Sequence, residues 1–161
     1  MDSFSPFILE DYQVAKTGTR FTMTSLELLK NFIKHEKQLA LINSKDTVIF
    51  VDSTFKLCNS SDIKVSIVAT QTLDHQVRPI AFYFSSYEES GDDYSFFFES
   101  LVKCYEKYFD NYKFNPKFVM GDFHQGITLA VQKHFTSERL NCLFHLQQSL
   151  DRNFKNKRRY P

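Results

Sequence analysis

The pattern of apolar and polar positions divides the chain into segments with different periods. Residues 1–23 show no sustained period, so we expect an irregular or extended N-terminal arm there. Over residues 24–43 the apolar side chains recur at the spacing of one helical face, with Thr24 or Ser25 as the N-cap. Residues 44–161 then alternate strand and helix patterns and are expected to form the main domain.

Three strand-like runs come first in this main domain. Residues 48–52, VIFVD, are continuous and apolar, as in a strand buried on both faces. Two further runs, 63–72 and 77–86, are separated by the polar turn LDHQ and predict a hairpin. Pro79 cannot donate a ladder hydrogen bond, which places the third strand toward an edge of the sheet. Together the three runs predict an antiparallel meander.

Helices and strands alternate in the second half of the chain. Residues 93–109 place aromatic and aliphatic side chains on one helical face, namely Tyr94, Phe97, Phe98, Leu101, Tyr105 and Tyr108. A short strand before Asp122, a helix over 123–135, a strand over 140–144 and a helix over 145–157 follow. Strands joined through helices require parallel crossovers, so we predict an α/β fold with a mixed five-stranded sheet flanked by helices.

Composition and charge add few constraints. The 161 residues suit one domain, and the net charge of +1 gives no overall attraction to nucleic acid. Only the end of the chain is basic, where four side chains are possible DNA contacts: Lys155, Lys157, Arg158 and Arg159. A solvated helix end whose cations suit the helix dipole explains this charge equally well.

Cysteine usage indicates a compartment. Cys58, Cys104 and Cys142, without a signal-like apolar N-terminus, favour a reducing intracellular location. No apolar run has the length of a membrane helix, so no membrane partner is expected.

Two strand ends carry the candidate chemistry. VIFVDSTFKL runs into Asp52, and FVMGDFHQGI runs in the same way into Asp122. If the two strands are parallel neighbours, both carboxylates lie at the same carboxyl edge, where such sheets bind ligands. Two carboxylates held together repel each other unless they share a proton or a cation.

The ligand chemistry of this pair favours a hard cation. Carboxylate oxygens without an adjacent thiolate suit Mg²⁺ or Mn²⁺, and two such ions can activate a nucleophile and stabilise the leaving oxygen of a phosphodiester. The alternative is structural, because Asp52 and Asp122 are each able to cap the segment that follows.

An ordered set of motifs resembles the core of Mutator-like element (MULE) transposases. The set comprises VDSTFK, RPIAFYF, YSFFFESL, KFVMGDFHQGITLAV and CLFH, and it runs from about Thr47 to Phe154. Ser53 stands where the family frequently has Gly, and Gly121 precedes the second acid.

The resemblance implies an RNase H-like fold and a DDE-type transposase that cleaves and joins DNA strands with two Mg²⁺ or Mn²⁺ ions. Asp52 and Asp122 would be its first two catalytic and metal-binding acids. The implied partners are transposon ends and target DNA, with a homodimer or larger assembly on the DNA and a nuclear location.

The third acid of the family, a glutamate, is expected well after the CxxH motif. Neither Glu138 nor Asp151 occupies that place, so we expect a core that lacks this acid, as a piece of a longer protein or a shortened relative. The alternative function is therefore a catalytically inactive, transposase-derived module that binds DNA or protein.

The remaining candidates are histidines and one cysteine. Cys142 and His145 form the CxxH motif and supply only half of a tetrahedral zinc site, so we expect a structural role and no zinc. His124 and Gln125 follow Asp122 and are candidate contacts to the DNA backbone. His35 and His75 are expected at the surface.

Overall fold

A computed structural model provides the structure of the protein and describes residues 7–8, 13–15, 18–42, 44, 46–54, 63–110 and 112–157. Its strands and helices occur in this order: β1 (Phe7–Ile8), β2 (Gln13–Ala15), β3 (Gly18–Thr24), α1 (Leu26–Leu41), β4 (Val48–Thr54), β5 (Lys64–Gln71), β6 (Val77–Ser85), α2 (Gly91–Tyr108), β7 (Phe118–Gly121), α3 (Gln125–His134), β8 (Glu138–Asn141) and α4 (Leu143–Lys157).

All the described strands join one sheet in the order β1-β3-β6-β5-β4-β7-β8, with β2 paired to β3. Strand β4 is antiparallel to β5 and parallel to β7, and β7 is parallel to β8. The mixed α/β fold predicted from the sequence is confirmed, and its strand arrangement is consistent with an RNase H-like sheet.

Strand β3 is the main addition to the predicted sheet. Residues Gly18–Thr24 lie at the end of the arm expected to be irregular or extended, and they form a regular strand that pairs antiparallel with β6. The edge position predicted for β6 is therefore wrong, because β3 covers its outer side. Pro79 is tolerated because the pairing with β3 ends at Phe82, and because the register with β5 shifts between Val68 and Ala69, opposite the proline.

Serine residues form the N-caps of two of the helices that cover the sheet. Ser25 Oγ accepts a hydrogen bond from Leu28 N at 3.2 Å, and Ser90 Oγ accepts one from Asp93 N at 3.2 Å. Both serines are extended residues with N-cap geometry. The predicted N-cap of α1 is thus confirmed as Ser25.

Aromatic side chains dominate the core between helices and sheet. The rings of Tyr105 and Phe114 stack at 4.7 Å between centroids, and Phe32 packs against both. Inward residues of α1, α2 and α3 join those of β4, β5, β6 and β7 in one hydrophobic cluster. Helix α3 contributes Ile127, Ala130 and Val131, which are buried.

Several local predictions are wrong. His35 is buried rather than exposed, and Tyr108 is exposed rather than part of the core face of α2. The last strand lies at Glu138–Asn141, so Leu143 and Phe144 begin α4 instead of ending a strand. His75, by contrast, lies exposed in the β5–β6 turn with a positive φ of 61°, as a turn residue should. Within the described part of the chain, no helix has the length and apolarity to cross a membrane.

Candidate active site

The two candidate acids lie at the carboxyl ends of neighbouring parallel strands. The pairing of β4 with β7 runs from Val48 opposite Phe118 to Phe50 opposite Met120. Asp52 and Asp122 each follow the last pair by two residues, so they occupy equivalent positions on strands that lie about 4.8 Å apart. The structure thus brings both acids to one edge of the sheet.

Both carboxylates are locally oriented, and Asp52 is exposed whereas Asp122 is half-buried. Asp52 Oδ1 accepts a hydrogen bond from Ser53 N at 3.0 Å, and the Asp52 side chain is 70% exposed. Asp122 Oδ1 accepts one from His124 N at 2.9 Å, which fixes the turn between β7 and α3. These bonds involve one oxygen of each carboxylate, so they are compatible with a ligand on the other.

Gly121 and Arg139 pack against the backbone that carries the second acid, Asp122. A Cβ at Gly121 would lie 3.0 Å from the carbonyl oxygen of Val51, so a side chain here would push β7 and β4 apart by a few tenths of an ångström. The guanidinium of Arg139 donates hydrogen bonds to the backbone carbonyls of Asp122 and Val119. Burial lowers the pKa of Arg139 and the charge of Asp122 opposes that shift. Arg139 could not be recognised from the sequence, because a lone arginine in a short strand belongs to no motif.

The CxxH motif connects α4 to the same edge. Cys142 lies at the junction of β8 and α4, where its backbone N donates to the carbonyl of Gly121 at 2.7 Å. His145, in the first turn of α4, places Nε2 3.8 Å from Asp52 Oδ1. Its Nδ1 is buried and finds no hydrogen-bond partner among the described residues. His145 therefore lies beside Asp52 and lines the same cleft as Asp122.

A cleft of about 370 Å³ opens between the turn after β7 and helix α4. Asp122, Phe123 and His124 line one side, and His145, Gln148 and Arg152 line the other. Phe123 is 52% exposed, and Arg152 Nη2 lies 3.4 Å from Gln148 Oε1. The cleft thus combines hydrogen-bond donors and an aromatic ring beside an acid.

Of the other candidate DNA contacts, the structure fully describes Gln125. Gln125 is exposed at the start of α3. The side chains of Lys155 and Lys157, and the whole of Arg158 and Arg159, lie outside the described residues.

His124 caps helix α3, and the capping hydrogen bond fixes the tautomer of its neutral ring. Its Nδ1 accepts a hydrogen bond from Gly126 N at 3.1 Å, so the ring hydrogen is on Nε2 in the neutral form. Nε2 lies 4.0 Å from Glu89 Oε2. His124, two residues after Asp122, thus lies close to Glu89, an acid that the sequence patterns did not indicate.

A buried polar network lies beneath this edge. Lys64 is fully buried, and its Nζ lies 2.5 Å from Asp93 Oδ2 and 3.8 Å from Glu89 Oε1. Tyr94 donates a hydrogen bond to Glu89 Oε1 at 2.8 Å, and its hydroxyl lies 3.0 Å from Ser53 Oγ. Helical and strand periodicity does not reveal such a network, because its members are far apart in sequence.

The donor chemistry of Asp52 and Asp122 fits a hard divalent cation, since each supplies carboxylate oxygen at an open edge. The pair is an incomplete ligand set. Among the described residues, no group of three His, Cys, Asp or Glu side chains is arranged to hold a metal ion. A bound Mg²⁺ retains several waters and commonly takes one or two protein carboxylates, so further ligands from water and phosphate are compatible with this edge.

The family model described as the MULE transposase domain matches residues 48–149. This region begins at the first residue of β4 and ends within α4, and it contains both acids and the CxxH motif. No curated protein matches the chain.

Proposed function

The chain belongs to the MULE transposase family, and from this premise we propose that it is the catalytic core of a DDE-type transposase that cleaves and transfers DNA strands. The observation that carries the proposal is the register of β4 and β7, which gives Asp52 and Asp122 equivalent positions at one edge of the sheet. Family membership supports a transposition-related function. The register supports a shared role for the two acids in it.

In this proposal Asp52 and Asp122 bind Mg²⁺ or Mn²⁺ through the oxygens that face the open edge. When bound, a pair of such ions activates the attacking water or hydroxyl and stabilises charge on the leaving oxygen of a phosphodiester. In this proposal water and phosphate oxygens supply the remaining ligands, since Mg²⁺ commonly takes only one or two protein carboxylates. Arg139 contributes indirectly, because it fixes the carbonyl of Asp122 and thus the direction of its side chain.

The cleft beside Asp122 is the proposed path of the DNA backbone. Arg152 and Gln148 present donors that suit phosphate oxygens, and His145 stands between them and Asp52. His124 and Gln125 contact the backbone on the other side of the acid. The assembly on paired DNA ends and the nuclear location implied by the resemblance stay predictions.

Nicking of supercoiled plasmid tests this proposal. The wild-type protein is expected to convert the plasmid to open circles in Mg²⁺ or Mn²⁺ and not in EDTA, and Asp52→Asn and Asp122→Asn are expected to abolish the conversion. Asp46→Asn is the matched control, because Asp46 pairs with Lys117 near the amino ends of the same two strands. This control should nick like the wild type.

Two other outcomes would contradict the catalytic proposal. Plasmid that is bound but not nicked with either metal would favour the inactive DNA-binding module. Plasmid that is neither bound nor nicked would favour a protein-interaction module.

A further inference from the structure

The hydroxyl of Tyr94 joins two chains of contacts, which we call arms. The first arm leads through Ser53 to Asp52, and the second leads through Glu89 and His124 to Asp122. Tyr94 is buried in the first turns of α2, with only 1% of its surface exposed. Ser53, the residue after Asp52, contacts the hydroxyl from one side, and Glu89 contacts it from the other. A core tyrosine needs only one partner for its hydroxyl, so this double contact calls for an explanation.

The hydrogens in the first arm have a fixed direction. Tyr94 has one hydroxyl hydrogen, and the carboxylate of Glu89 can only accept it. Ser53 must then donate to Tyr94, and Ser66, whose Oγ lies 2.7 Å from Ser53 Oγ, must donate to Ser53. Burial, together with the charges of Glu89 and Asp122, raises the pKa of Tyr94, so the hydroxyl keeps its hydrogen. A chain of hydrogen bonds thus runs from Ser66 through Ser53 and Tyr94 to Glu89. This chain holds the part of β4 that carries Asp52.

The second arm runs from Glu89 to the turn that carries Asp122. Glu89 Oε2 lies 4.0 Å from His124 Nε2, and the rings of Tyr94 and His124 lie 5.8 Å apart. The backbone N of His124 donates to Asp122 Oδ1. Gly126 brings this turn into close contact with the start of α2, since a Cβ there would lie 2.8 Å from the carbonyl carbon of Ser90.

The buried ammonium group of Lys64 lies beside Tyr94 and Glu89, where the two arms meet. Lys64 lies 3.8 Å from the Glu89 oxygen that Tyr94 contacts, and its Nζ lies 4.8 Å from the centre of the Tyr94 ring. Asp93 compensates the charge of Lys64 at 2.5 Å. Glu89, at 22% exposure, thus lies at the border between core and solvent, where its carboxyl oxygens can accept from Tyr94 and face Lys64.

We propose that Tyr94 is a positioning residue for the active site: its hydroxyl, with Glu89, sets the separation of Asp52 and Asp122 by joining β4 to the turn before α3. This role rests on the proposed function for its purpose, and on the contacts above for its geometry. Tyr94 touches neither acid directly, so its effect on metal binding passes through Ser53 and His124.

The test compares Tyr94→Phe with Tyr83→Phe, which is a closely matched control. Both tyrosines are buried and both donate to a carboxylate of the same network, but Tyr83 donates to Asp93 at 2.5 Å and does not contact Ser53. The two substitutions should therefore lower stability similarly. Only Tyr94→Phe removes the hydroxyl that contacts both Ser53 and Glu89.

The first readout uses metal-free protein and ¹⁵N–¹H spectra. Tyr94→Phe should shift the amide signals of both Ser53 and His124, whereas Tyr83→Phe should leave both in place. If Tyr94→Phe moves neither signal, or if Tyr83→Phe moves both equally, the proposal is wrong. Ser53→Ala breaks the first arm at its other end and should shift the His124 signal less than Tyr94→Phe does.

The second readout is Mn²⁺ affinity, measured from the electron paramagnetic resonance signal of free Mn²⁺. Loss of one positioning hydrogen bond should weaken binding about three- to tenfold in Tyr94→Phe and leave it unchanged in Tyr83→Phe. Equal affinities for the wild type and Tyr94→Phe would overturn the proposal. If the wild type binds no Mn²⁺, the proposed function fails, and the amide shifts alone decide whether Tyr94 joins the two strand ends.

Discussion

The buried ion pair of Lys64 and Asp93 gives a prediction whose magnitude follows from the structure. Lys64 is fully buried, and Asp93 is 2% exposed. The Asp93 carboxylate accepts from Lys64 Nζ at 2.5 Å, from Tyr83 at 2.5 Å and from Ser85 Oγ at 2.8 Å. Asp93→Leu would leave an ammonium group and two hydroxyls buried without this acceptor.

Removing one partner of a buried pair costs about 3–5 kcal/mol, because the other charge stays desolvated. Glu89 lies 3.8 Å from Lys64 and compensates part of that charge, which favours the lower end, about 3 kcal/mol. That loss is a large fraction of the 5–15 kcal/mol by which domains of this kind are usually stable, so the variant should unfold at a much lower urea concentration.

Urea unfolding followed by far-UV circular dichroism measures the effect. Replacing both partners, as in Lys64→Met with Asp93→Leu, removes the buried charge and should recover much of the loss. Asp92→Asn, at an exposed acid of the same helical turn, should change the stability little. The reasoning is refuted if Asp93→Leu costs less than about 1 kcal/mol, or if the double variant loses as much as the sum of the two single variants.

Three further predictions concern stability. Burial lowers the pKa of His35 below 6.5, against a smaller opposing effect of Asp74, so below pH 6.5 the unfolded chain binds more protons and the free energy of unfolding falls. That fall should be shallower in His35→Gln than in His75→Gln, as measured by urea unfolding between pH 5 and 7. Gly126→Ala should cost about 1–3 kcal/mol in the same assay at pH 7, because its Cβ meets backbone at 2.8 Å; an unchanged midpoint would contradict the close approach. Ser25→Ala removes the N-cap of α1 and should lower the thermal midpoint by about 3 °C, whereas no change would mean that the cap contributes nothing.

The parallel pairing at the site could be predicted because both strands carry a strong signal. VIFVD and KFVMGD are apolar runs that end in an acid, and the one helix between the meander and the second run returns the chain so that this run is parallel to the first. The register of β4 and β7 then follows from pairing the two runs, which places Asp52 and Asp122 together. Local pattern and topology agree at these positions.

Strand β3 was missed because its inward positions are polar. Thr22 and Thr24 are buried, whereas Phe21 and Met23 are only half-buried, which reverses the usual pattern. Thr24 Oγ1 compensates by donating to the carbonyl of Ile80 at 2.6 Å. A pattern method that counts threonine as polar has no means of recognising such a strand.

The network of Lys64, Glu89, Asp93 and Tyr94 was missed for a different reason. Charged residues are expected at the surface, and only a tertiary pairing between β5 and α2 makes it favourable to bury Lys64. His35 is a similar case, since an imidazole one turn after Phe32 has no sequence feature that distinguishes core from surface. These buried polar residues are therefore recognisable only in the fold.

The most direct test of the central claim is a Mn²⁺ titration of the wild type, Asp52→Asn, Asp122→Asn and the double variant, read from the paramagnetic resonance of free Mn²⁺. If the two carboxylates bind the metal together, each single variant loses affinity and the double variant loses little more than either, while Asp46→Asn binds like the wild type. Independent, additive losses, or an equal loss in Asp46→Asn, would contradict a shared site at the ends of β4 and β7.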